Sequence, residues 1–137
     1  MAAILGGAVS GVWQDQLPSL KAETVKWWCD FDMHYTAASN LSEEATDLLI
    51  KRHIPEGMAK HAEAYVHYKK LADCGLAEGY LGVGLAYCHG YSVEKRPDIG
   101  RKYLRMAAAE NKEYAIIAEQ DRFCSGPAPA LPSSRRP

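Results

Sequence analysis

HAEAYVHYKKLADCG (residues 61–75), LAEGYLGVGLAYCHGYSVEKR (76–96) and PDIGRKYLRMAAAENKEYAII (97–117) decide the fold of this chain. Apolar and small residues recur at three- and four-residue spacing, and Gly or Asn closes each run. From Met58 onward the stretch therefore reads as four helices separated by turns. The pattern at Gly75 and Gly79 returns at Asn111 and Ala115, 36 positions further on. A period of that size marks a helical-repeat scaffold.

Helical phase assigns the inward residues. A helix from about Met58 to Asp73 turns Ala64, Tyr68, Leu71 and Ala72 inward and closes on Gly75 as a left-handed cap. The next, Ala77 to Cys88, presents Gly79, Val83, Ala86 and Tyr87, and ends at Gly90. Pro97 suits a first helical turn and opens a helix to Glu110, with Gly100, Tyr103, Leu104, Ala107 and Ala108 inward. A last helix begins after Asn111 and fades near Phe123. Glycine within a helix costs on the order of 1 kcal/mol relative to alanine. Gly79 and Gly84 are therefore expected where helices approach closely, with Tyr87 and Tyr103 filling the space between pairs.

Upstream, a helix is expected from Ser19 to Phe31, following Pro18. Trp27 and Trp28 are adjacent and cannot face the same way on it, so one is expected in the core and the other beside a neighbour or partner. Asn40 and Glu43 have the spacing of a capping box, and Leu41, Ala45, Leu48 and Leu49 follow at helical spacing. That helix is expected to stop near His53, ahead of Pro55 and Gly57. The chain thus divides into a loose arm pinned by Trp13 (1–16), N-terminal capping helices (17–56), a repeat region (57–123) and a disordered Pro/Ser/Ala-rich tail (124–137).

A chain of 137 residues makes one domain, and 47% hydrophobic with 24% charged residues suits a globular protein. The formal net charge of −1 argues against a nucleic-acid partner, which calls for clustered Lys and Arg. The first 13 residues carry no charge, lack a basic leader and are too short and glycine-rich to span a bilayer, so a cytoplasmic protein without a membrane role is expected. Cys29, Cys74, Cys88 and Cys124 are widely spaced, contain no C-x-x-C and read as reduced.

Three constellations could hold chemistry. Cys88 and His89, with Cys74, His61 and His67 upstream, lack zinc-ligand spacing, and Cys74 and Cys88 close successive antiparallel helices at opposite ends. Cys29 and His34 are five residues apart, a poor spacing for a thiol and its base on one helix. The G-x-G of GYLGVGLAYCHG follows no strand and precedes no suitably placed lysine. No catalytic site, metal or cofactor is expected.

In Gly79, Val83, Gly84, Tyr87, Gly90 and Val93, then Gly100, Tyr103, Ala107, Ala108 and Asn111, the chain resembles the Sel1-like repeat, a relative of the tetratricopeptide repeat. Ala64, His67, Tyr68, Leu71, Ala72 and Gly75 match a preceding half-repeat more weakly, and Ala115 a following one. Ser92 stands where the family has a turn glycine, Arg96 where it has Asp, and Asn111 where it has Gly. The resemblance implies an all-α, short antiparallel helical-repeat solenoid with N-terminal capping helices. It also implies a protein–protein interaction module, an adaptor or regulator whose partner is another protein or a peptide. Alternatives with the same features are a small inhibitor or immunity-type protein that occludes one partner, and a structural subunit of a larger complex. Partner contact is expected through Glu78, Leu81, Leu85, Cys88, His89 and Tyr91, with Trp27 and Trp28 capping the solenoid or mediating a homodimer.

Overall fold

A computed structural model describes residues 23–121 and Cys124. The arm, Trp13, the helix start at Ser19 and the tail from residue 125 lie outside the described residues. Residues 23–28 are helical, and α1 (Phe31–Ile50), α2 (Ile54–Asp73), α3 (Ala77–His89), α4 (Pro97–Glu110) and α5 (Glu113–Gln120) follow. The chain is all-α: the described residues contain no strand.

The order of contacts shows how the helices run. Between α1 and α2, Glu44 pairs with Lys60 and His34 with His67, so partner numbers rise on one helix as they fall on the other. Gly79 lies against Leu71 and Ala72, and Gly82 against Tyr68, which runs α3 back along α2. Gly84 meets Leu104 and Gly100 meets Cys88, which runs α4 back along α3. Each helix packs chiefly on its neighbours in sequence. The buried alanines Ala38, Ala45, Ala64 and Ala107 keep these contacts close, and Leu71 and Val83 fill the centre. A Cβ on Gly79 would run into the backbone of Leu71 and Ala72, so α2 and α3 touch main chain to main chain there.

The punctuation near the repeat stretch falls largely at the expected residues. Gly75 and Gly90 take φ of 81° and 79°, the left-handed geometry that stops a helix. Asn111 does not cap in this way. It is extended at φ −144°, and its side-chain oxygen accepts a hydrogen bond from the Glu113 backbone N–H at 3.0 Å. Asn111 therefore ends α4 in an extended conformation and not as a left-handed cap, and its side chain reaches forward to the first residue of α5. Ser92 adopts φ 63°, so the turn keeps a glycine-like conformation without the glycine.

The N-terminal third departs further from expectation. The expected first helix breaks at Cys29 and Asp30, where Asp30 takes φ 52°, and Phe31 opens the next helix. That helix passes through Asn40, so no capping box forms. His34, Ala38 and Ala45 lie on one buried stripe against α2, and this packing carries the helix through Asn40. α1 does end at Ile50, close to the expected stop near His53, but the next helix starts earlier than Met58. After a bend at Arg52 with φ 69°, Pro55 sits in the first turn of α2. Trp27 and Trp28 are both exposed, at 77% and 75%, so neither is in the core.

The cysteines are not reduced. Cys29 pairs with Cys74 and Cys88 with Cys124, with Cα separations of 6.4 and 5.2 Å. Both lie within the roughly 4.4–6.8 Å that a disulfide spans. Cys88 and Cys124 are fully buried and pack with Leu104, so Cys124 belongs to the folded body and not to the tail. Gly100 leaves room for this bridge: a Cβ there would stand 2.7 Å from the Cys124 sulfur.

Candidate binding groove

Helical phase builds a concave groove of about 240 Å³ on one side of the molecule. From α2 it takes His61, Ala64, Tyr65 and Tyr68, spaced at three, four and seven residues along a single stripe. From α3 it takes Glu78, Leu81, Gly82, Leu85, Ala86 and His89, again on one face. Tyr35 and Ser42 of α1, with Tyr91 and Tyr114, complete the lining.

Of the residues expected to meet a partner, Glu78, Leu81, Leu85, His89 and Tyr91 converge here. Cys88 does not. One residue from His89 on a helix is about 100° round the axis, which turns Cys88 inward to its disulfide with Cys124. Trp27 lies elsewhere, beside Glu23, Lys26, Asp30, Phe31 and Asp32. It meets Trp28 edge to face with ring centres 5.7 Å apart. The sequence reasoning missed Tyr35, His61, Tyr65 and Tyr114. The signal for two of them was present, because His61, Tyr65 and Tyr68 share a stripe of α2 once Tyr68 is read as groove-lining.

The aromatic wall is stacked. The His61 ring lies flat on Tyr91 at 3.9 Å between centres, and Tyr91 lies on His89 at 5.2 Å. His89 Nε2 stands 3.0 Å from an Asp121 carboxylate oxygen. His61 Nε2 is buried without a hydrogen-bond partner among the described residues. Burial, and then the neighbouring His89, hold the His61 pKa below its ordinary value. Burial pushes the Tyr65 hydroxyl up to about 12, helped by its hydrogen bond with Tyr87. Burial and the Glu78 carboxylate raise Tyr114 to about 12. Tyr65 and Tyr114 are thus neutral hydrogen-bonding groups at physiological pH.

The other constellations are occupied by structure. His67 Nδ1 meets His34 Nδ1 at 2.9 Å, one ring donating and the other accepting. Cys29 and Cys74 are tied to each other. Among the described residues, no cluster of three or more His, Cys, Asp or Glu could hold a metal ion, and no helix is long and apolar enough to cross a membrane. No family model, curated protein or solved structure matches the chain.

Proposed function

We propose that this chain is a protein-interaction module, a short Sel1-like solenoid whose concave groove takes a segment of another protein. The observation that carries the reading is the convergence of Leu81 and Leu85 with the stacked rings of His61 and Tyr91 in one open groove. Packing of each helix on its sequence neighbours is what a linear repeat array requires. Two ties across 36 positions, Cys88 to Cys124 and Glu78 to Tyr114, match the repeat length and join one repeat to the next. At about 240 Å³ the groove is smaller than the roughly 300–1,000 Å³ of small-molecule sites and suits side chains of a peptide. In this reading the protein is an adaptor or regulator, not an enzyme, and works without metal or cofactor.

The paired cysteines favour an oxidising compartment over the cytoplasm, since cytosolic thiols are kept reduced. Affinity capture with the full chain tests the groove. Recovery of the bound protein should fall at least about tenfold for Leu81→Arg and for Leu85→Arg, with helical circular dichroism retained. Equal recovery with both variants would sink the groove reading.

A further inference from the structure

Inside the groove, charge is unbalanced. Among the described residues, its lining holds five tyrosines and the Glu78 carboxylate, but no Lys or Arg. The nearby Asp121 carboxylate is met by His89 at 3.0 Å. Glu78 has no cationic partner among the described residues, and its bond from the Tyr114 hydroxyl is long, at 3.4 Å. A carboxylate so placed keeps most of its acceptor capacity. An apolar side chain docked over it would strip its water and return nothing, which is costly. A cation would restore the balance.

Resting on the groove reading above, we propose that the groove recognises a basic side chain, arginine by preference, on a peptide segment of the partner. The guanidinium pairs with Glu78, its face lies against the tyrosine rings, and its methylene stem covers Leu81 and Leu85. Tyrosine faces attract cations through the ring quadrupole, and the planar guanidinium stacks on them better than an ammonium does. A long basic side chain is apolar along its stem and polar at its tip, which matches a groove with leucines on the floor and a carboxylate on the wall. Neither His61 nor His89 opposes the incoming charge. His61 is held neutral by its burial, and His89 faces Asp121.

The probe is the capped pentapeptide acetyl-Leu-Ala-Arg-Ala-Leu-amide, with citrulline, lysine and glutamate counterparts at the centre. Each is titrated into the full oxidised chain and followed through tyrosine ring resonances. The arginine peptide should saturate, with lysine weaker and glutamate silent. Citrulline has nearly the same shape without the charge and should bind at least about tenfold less tightly. Glu78→Gln, a conservative change at a half-buried position, should cost the arginine peptide about the same factor and leave the citrulline peptide unaffected. Equal binding of arginine and citrulline peptides, both lost on Leu81→Arg, would overturn the cation proposal and leave the groove standing. Binding that survives Leu81→Arg would overturn both. Saturation by none of the peptides would overturn the cation proposal, while the capture experiment still decides the groove.

Discussion

Ser92 holds a left-handed conformation at φ 63° on an exposed turn, a geometry that costs a non-glycine residue about 1–2 kcal/mol. Ser92→Gly should therefore stabilise the protein by up to about 1 kcal/mol, after the greater freedom of glycine in the unfolded chain is subtracted. Urea denaturation reads this as a higher midpoint at unchanged slope. The histidines make a second residue-scale prediction. Burial, then His67 and Lys70, lower the His34 pKa against the opposing pull of Asp30. Burial and His89 lower that of His61. Both folded-state values lie below the ordinary 6.5, so the unfolded chain takes up these protons first as pH falls. Their contribution to stability is full above that value and is lost as pH drops through the depressed ones. Thermal melts should show the midpoint falling between about pH 7 and pH 5. His61→Phe, which keeps a ring on Tyr91 and removes one proton site, should flatten the fall.

At the scale of elements, α2 and α3 meet where Gly79 lies on the backbone of Leu71 and Ala72. A methyl group there has no flexible neighbour to displace, so Gly79→Ala should separate the two helices and cost about 2–3 kcal/mol in urea denaturation. Gly84→Ala meets first the Cδ2 end of Leu104, at 2.9 Å, and should cost less because that side chain can turn aside. The opposite order would show that α3 is held mainly through α4. This pair of glycines also shows what was legible at this scale. Their presence inside a helical stripe predicts close packing, because nothing else offsets their propensity cost. Which neighbour each one touches depends on how the helices fold back.

For the whole molecule, the two disulfides set the stability. They close loops of 45 and 36 residues, and the chain-entropy treatment assigns about 4 kcal/mol to each. Together they are comparable to the roughly 5–15 kcal/mol by which domains are stable at all. Melts in dithiothreitol should thus show a large loss of stability, with Cys29→Ala/Cys74→Ala and Cys88→Ala/Cys124→Ala each reproducing part of it. An unchanged melt in reductant would show that the packing of the helices suffices. Trp27 and Trp28, by contrast, project from the body, and replacing both with alanine should move stability by no more than about 0.5 kcal/mol.

What the sequence determined by itself is the part that local interactions govern. Helical phase placed Ala64, Leu71, Val83 and Leu104 inward, glycine stopped helices at Gly75 and Gly90, and proline opened α4 at Pro97. Helical phase also put Glu78, Leu81 and Leu85 on one face, because residues three and four apart lie together on a helix. Only the tertiary structure decided the cysteine pairing, since four cysteines allow three connectivities. The same holds for the continuity of α1 through Asn40, where burial of Ala38 and Ala45 against α2 outweighs a local cap. It holds too for the groove, where Tyr35, Tyr65 and Tyr114 come from three helices. Such contacts join residues far apart in the chain, and their energy is realised only when the helices have packed.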